Sequence, residues 1–384
     1  MIAASGVGKL GFATFPLATV LLAHGESGSF VNAGLAAGAW SFGGTVTAPI
    51  RGHLVDRYRT RIPLAGLTLT AALAVVGLAT VSGTTALVCF GALAGASAPP
   101  IVASVRPLWK HVLPHDLVRT AYAVDAILTE LAKICGPLVA AVAAARSPQL
   151  GVVTAGTLLV IGTLLLIARP NAAPRPTTSE TRTRAAVLAS PALRLLLLSN
   201  IATGLCLGAL TVGLPARAAE HGSATGSGWL FACLGIGSAV SGVWFGGRHR
   251  HTAPVIGYVV GLTWIALALL LAASLPAGVP LAVVLLIAGG AFAPVTVCLF
   301  ELLDEHAPRG TEVTSMMWMV SGEELGIALG TSLSGAQAQD VGAWLALVTA
   351  AASAALGAGF LAAGRHVLAR GNGTQMRLDD RDSA

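Results

Sequence analysis

Three ionisable residues fall close together in one apolar stretch of the chain: Asp125, Glu130 and Lys133. On an α-helix they share an arc of about 140° with Tyr122 and Thr129, so a single polar stripe results. Glu130 and Lys133 stand at i, i+3, where a carboxylate and an ammonium group pair. Further along, Glu323 and Glu324 sit inside a second apolar stretch, behind Met316, Met317, Trp318 and Met319. Carboxyl groups at such positions can take up and release protons, and the methionines and Trp318 suit a lipophilic guest. No Ser-His-Asp or His-x-x-x-His arrangement, phosphate-binding loop or ATPase motif occurs, so no catalytic residue and no metal site is expected. Five cysteines lie singly in apolar runs without metal-ligand spacing, so no cofactor is expected either.

The elements that must hold these groups follow from composition. Of 384 residues, 55% are hydrophobic and only 10% are charged, with a mean hydropathy of +0.78. A soluble domain carries about 25% charged residues, so 40 charges cannot cover a globule of this size. Soluble enzyme, disordered chain and nucleic-acid-binding module are excluded, despite a net charge of +6. The chain is an integral membrane protein whose surroundings are a lipid bilayer.

A spanning helix needs about 20 mostly apolar residues. Twelve such runs are present: 7–24, 29–50, 62–82, 84–105, 118–145, 150–168, 192–216, 226–247, 254–275, 279–303, 312–336 and 341–363. With both termini in the cytoplasm, 20 of the 23 basic residues fall in inner loops or at the ends, Lys9 and Arg51 among them. Only Arg146 and Arg217 lie outside, and Lys133 lies within a span. The organisation expected is a six-span bundle over 1–168, a Pro/Thr/Arg-rich cytoplasmic linker over 169–191, a second bundle over 192–364 and a tail over 365–384. The tail is polar and reads as disordered.

The halves repeat. Gly52 pairs with Gly246, Pro114 with Pro308, Glu130 with Glu324 and Gly136 with Gly330, each offset by 194 residues. Gly95-Ala-Ser-Ala-Pro99 matches Gly290-Ala-Phe-Ala-Pro294 at an offset of 195. Two six-helix halves related by an axis along the membrane normal form a transporter plan, with the substrate between them near mid-membrane. In that setting each buried charge costs about 2.5–3.5 kcal/mol on insertion, which makes these carboxylates functional candidates.

The loop after the second span, Gly52-His53-Leu54-Val55-Asp56-Arg57-Tyr58-Arg59-Thr60-Arg61, resembles the G-x-L-x-D-R-x-G-R-R signature of the major facilitator superfamily. Gly52, Leu54, Asp56, Arg57 and Arg61 fit it; Arg59 and Thr60 depart. The resemblance implies an all-α membrane fold of twelve helices in two pseudo-symmetric bundles, which rock to expose the substrate alternately to each side. It implies a cytoplasmic gate at Gly52, Asp56, Arg57 and Arg61. Glu301, which with Asp304 and Glu305 closes span ten, is the expected acidic half of that gate. Gly136-Pro137 keeps the centre of the family's exporter pattern in span five, with alanines in place of other glycines. Gly326 and Gly330 in span eleven form a small-residue row suited to helix packing.

The function expected is secondary active transport of a small, amphipathic molecule by a monomer in the cytoplasmic membrane, driven by protons that neutralise Asp125, Glu130 or Glu324. Import of a polar metabolite is the alternative within transport. A non-transporting sensor or membrane-embedded enzyme is the alternative from another class, and the missing catalytic cluster and output domain argue against both.

Overall fold

A computed structural model of the chain describes residues 2–57, 61–101, 115–168, 190–220, 222–246, 253–307 and 312–382; within these, the side chains of 2, 49, 52, 53, 55–57, 115–127, 130, 246, 312–314 and 367–382 lie outside the description. Among the described residues every regular element is helical: α1 (Ile2–Ser27), α2 (Phe30–Arg57), α3 (Arg61–Thr80), α4 (Thr84–Ser97), α5 (His115–Ala144), α6 (Pro148–Ile167), α7 (Pro191–Ala219), α8 (Ser227–Gly246), α9 (Pro254–Ser274), α10 (Val279–Gly289), α11 (Phe292–His306), α12 (Glu312–Asp340) and α13 (Ala343–Asp382), with one 3-10 turn at Ala224–Gly226. A lipid environment leaves the backbone only intrahelical hydrogen bonds, so apolar runs of this length must become helices. Among the described residues, eight apolar segments are long enough to cross a membrane, and α10 with α11 forms one of them, Val279–His306. The thirteen described helices therefore form twelve rods. Beyond Gly364, where a disordered tail is expected, α13 continues to Asp382.

Successive rods alternate in direction, so α1 begins and α13 ends on one face, here called the terminal face. Each half has its own core. One apolar cluster gathers residues between Ala192 and Leu361, and the other is built on residues between Ala4 and Leu166. Packing within the halves corresponds pair by pair: α1 on α5 and α6 is matched by α7 on α12 and α13, and α2 on α4 by α8 on α10. Between the halves the main seams are α2 against α12 and α5 against α8.

The repeat is visible as contact geometry. A Cβ on Gly95 of α4 would collide with the carbonyl oxygen of Trp40 on α2; a Cβ on Gly289 of α10 would collide with that of Leu234 on α8. Both residues of the second pair lie 194 positions after those of the first. Both spans also break at the equivalent place: α4 stops at Ser97 before Pro99 and Pro100, and α10 gives way to α11 around Gly290–Ala291. Proline removes an N–H from the helical ladder and leaves a carbonyl without its partner.

The two ends of the bundle differ. Away from the terminal face, Gly34 and Gly38 of α2 press on the backbone of Ala328 and Thr331 on α12, and Gly335 presses on Phe30 and Gly34. The Phe30 N–H donates to Gln339 Oε1 at 2.9 Å across this seam. Val212, Ala216 and Ala343 of the second half are buried in the core of the first. That end is sealed. On α12 the same helical stripe continues toward the terminal face through Glu324, Val320 and Met317. There Val320 is 43% and Met317 41% exposed, although a stripe facing α2 would be covered if the helices stayed together. Among the described residues, the seam between α2 and α12 is uncovered toward the terminal face.

Candidate functional site

The candidate residues sit on α1 and α5 of the first half and on α12, packed against α7, of the second. α5 is fixed by contacts on two sides. Gly136 lies against the Ala13 backbone of α1, and Ile134 against Gly235 of α8. Lys133 points between those directions, yet it is an exposed residue. Leu131 and Val142 are bare on the opposite side of α5, the side suited to lipid, so Lys133 is turned away from it. Pro137 follows Gly136 inside α5 and is half-buried. Tyr122, Asp125 and Glu130 lie on α5, but their side chains fall outside the described residues.

Lys9 is displaced from its expected place. Read from sequence it is a terminal loop charge; in the structure it lies on α1 inside the first half, 5% exposed, with Nζ donating to Thr129 Oγ1 on α5 at 2.8 Å. Glycines explain how α1 can come so near its neighbours: Gly8 and Gly11 rest on the α6 backbone at Gly162, Leu158 and Leu159. An ammonium group at this depth is expensive unless hydrogen-bonded. Sequence counting missed it because a single lysine near an N-terminus is also what orientation rules predict.

On α12, Gly326 meets the Ile201 carbonyl and Gly330 the Leu205 carbonyl of α7, while Gly204 and Gly208 of α7 meet the backbone at Glu323 and Ile327. This backbone-to-backbone packing sets the rotation of α12 and turns Glu324 toward α2. Asn200 Nδ2 fastens the same pair by donating to the Met319 carbonyl at 2.7 Å. Glu324 is half-buried beside α2. Glu323, about 100° around the helix, is also half-buried, with its backbone against α7. Trp318 stands about 120° from Glu324 and packs half-buried on the second core, as Met316 does; Met319 is buried in that core. Met317 alone of the group is exposed.

Arg51 is the second displaced charge. Instead of reaching for water it turns back along α2, where Nη2 donates to the Gly44 carbonyl at 2.5 Å and Nη1 to the Ala98 carbonyl at the broken end of α4. Gly44 is seven residues earlier, about 10 Å deeper in the bundle. The guanidinium thereby lies within electrostatic reach of Glu324 in the other half. Ser41, one turn before Gly44, also belongs to this polar cluster opposite Glu324.

Of the expected gate, Asp56 and Arg57 end α2, but their side chains, with that of Gly52, fall outside the described residues. Arg61 opens α3 and is exposed. Glu301 is exposed on α11. No group of three or more potential metal ligands occurs among the described residues.

A duplicated bundle of apolar helices with charged groups held between its halves has the plan of a membrane transporter. The family model described as Major Facilitator Superfamily matches residues 3–331, and the chain belongs to that superfamily. Comparison with curated proteins finds no match. Among solved structures the chain is similar to a mutant of a peptide transporter POT in complex with sulfate, at 14% identity and a TM-score of 0.76, covering 96% of this chain and 94% of that one. It is similar to a mutant of the nucleoside transporter NupG, at 13% identity and 0.73, covering 94% and 99%. A bacterial homologue of the human lysosomal transporter Spinster, inward-facing and occupied, gives 14% identity and 0.69 over 96% and 95%. At such identities the likeness concerns the fold.

Proposed function

We propose that this transporter is a proton-coupled exporter of a small amphipathic molecule, acting as a monomer in the cytoplasmic membrane with both termini in the cytoplasm. The observation that carries this reading is Glu324: a half-buried acidic group between the halves, beside Ser41 and within electrostatic reach of the buried Arg51 guanidinium. Asp125 and Glu130 are the proposed carboxylates of the first half. The terminal face is then the cytoplasmic face, and a hollow between the halves opens there to the cell interior and loads substrate. Met317 and Val320 offer it an apolar wall. The gate proposed at Gly52, Asp56, Arg57, Arg61 and Glu301 closes this face after loading. A proton binding from the far side neutralises a carboxylate and favours release of substrate, since only a ligand that distinguishes the two states can shift them.

The second reading is import of a polar metabolite, favoured by Lys9 and Lys133 on the inward sides of α1 and α5. Cells with and without the protein, challenged with amphipathic cations such as ethidium and with polar metabolites, separate the two by which class changes in accumulation. In vesicles, export should follow an imposed pH gradient and fall in Asp125→Asn, Glu130→Gln or Glu324→Gln. Transport that ignores the gradient and survives all three substitutions sinks proton coupling.

A further inference from the structure

A groove of about 330 Å³ runs along the outer surface of the second half, between α9 and α13. Its floor is formed by Ala266 and Ala358, both buried, and Leu267 stands bare at its wall. Gly359 makes room for it: a Cβ built there meets nothing within 4 Å, whereas Gly357, two residues earlier, is pressed on Leu262 and the Ser199 carbonyl. Ile256, Val260, Trp264 and Leu356 are exposed on the same two helices, so this flank of the protein is bathed by lipid. Thr263 is the polar side chain of the lining, and its O–H already donates to the Val259 carbonyl at 2.8 Å. The groove therefore offers a guest dispersion contacts and no free side-chain donor.

Its two ends are unlike. Because α9 starts and α13 finishes at the terminal face, Val259 and Ala362 form the outer end, and Leu267 and Ala355 the deep one. One turn beyond Ala362 come Arg365 and His366, both exposed, within an arc of about 120° that also holds Ala355, Ala358, Gly359 and Ala362. The first turn of α9, at Pro254, carries no side-chain cap, so the positive end of its dipole points to the same face. From Ala355 to Arg365 the helix rises about 15 Å, half of a hydrocarbon core of about 30 Å.

We propose that this groove is a lipid site: it holds one acyl chain of an anionic phospholipid from the leaflet at the terminal face, with the phosphate at Arg365 and His366. Three features select that occupant. The depth is that of a single leaflet, the lining is apolar throughout its length, and the positive outer end is complementary to a phosphate without its own cation. The bound chain fills the concavity beside Gly357, where α9, α13 and α7 meet, and so braces the second half. The site lies on the lipid side of that half, away from the seam between the halves, and stands whatever substrate, ion or direction transport uses.

The test uses the full chain in detergent, titrated with phosphatidylglycerol or phosphatidylcholine and weighed intact by native mass spectrometry. The parent should retain one phosphatidylglycerol about fivefold more tightly than phosphatidylcholine; equal retention is the behaviour of unspecific annular lipid and overturns the site. Arg365→Gln should abolish that preference, because a basic side chain near an anionic headgroup is worth about 1 kcal/mol, or about fivefold. Arg146→Gln, which removes an exposed arginine at the opposite face, should change nothing. Gly359→Leu plugs the groove with a side chain that its surroundings have room for. It should cut phosphatidylglycerol retention about tenfold, while its melting temperature without lipid stays at or above the parent's. Parent-like retention in Arg365→Gln or in Gly359→Leu overturns the proposal. So does a parent that weighs as two chains and becomes one in Gly359→Leu, since a second copy would then occupy the groove. Should Gly359→Leu not fold, Ala355→Leu fills the deep end and decides by the same loss.

Discussion

Gly34 on α2 rests against the carbonyl oxygen of Thr331 on α12, 297 residues further along the chain, with no room for a methyl group between them. Gly335 rests in the same way against Phe30. These approaches close the end of the bundle away from the chain termini. Gly34→Leu forces the helices apart there, at a cost of about 1–3 kcal/mol for overpacking. A cysteine placed at Ala216, now buried in the sealed end, should become several-fold more reactive toward maleimide from that side. Unchanged reactivity would mean the seam yields elsewhere.

The same wedge in both halves should cost the same. Gly95→Val meets Trp40, and its counterpart Gly289→Val meets Leu234, each at a main-chain carbonyl that has no side chain to move aside. Both variants should lose folded protein to a similar extent in detergent melting experiments. A large difference would mean that the repeat is one of sequence without shared mechanics.

Lys9 offers a cleaner separation of charge from packing. Lys9→Met keeps the length of the side chain and removes its charge, whereas Thr129→Val removes one acceptor and leaves the ammonium in place. Transport should fall by about tenfold or more in the first, equivalent to ~1.4 kcal/mol, and by much less in the second. Equal transport in parent and Lys9→Met would make Lys9 a group without a role in substrate or proton movement.

Tyr258 is the control. Its buried hydroxyl lies between Ser199 and Thr203 inside the second half, away from the hollow, and Ser199 itself donates to the Gly357 carbonyl. Tyr258→Phe should lower stability by about 0.5–1.5 kcal/mol, the value of an ordinary hydrogen bond, and leave transport unchanged. Melting and transport measured on one preparation check both halves of that statement.

Much of the architecture is legible in one sequence because lipid leaves few choices. A run of some twenty apolar residues has to satisfy its backbone internally, so rods over Pro148–Ile167 or Pro254–Ser274 follow from composition alone. The 194-residue offset likewise predicts a two-fold plan, which the Gly95–Trp40 and Gly289–Leu234 contacts express in three dimensions. The break between α10 and α11 is less legible: Gly290 and Pro294 mark it, yet hydropathy continues across it unbroken.

What the sequence alone determined is the number of rods, their repeat and the depth of Glu323, Glu324 and Lys133, since each of these depends on local composition. What only the tertiary structure decided is where long cationic side chains go. Lys9 and Arg51 have the sequence context of loop charges, and a free helix would let both reach water. Packing of α1 on α5, and of α2 on α4, puts the acceptors Thr129 and Ala98 closer than water is, and that proximity joins residues 120 and 47 positions apart.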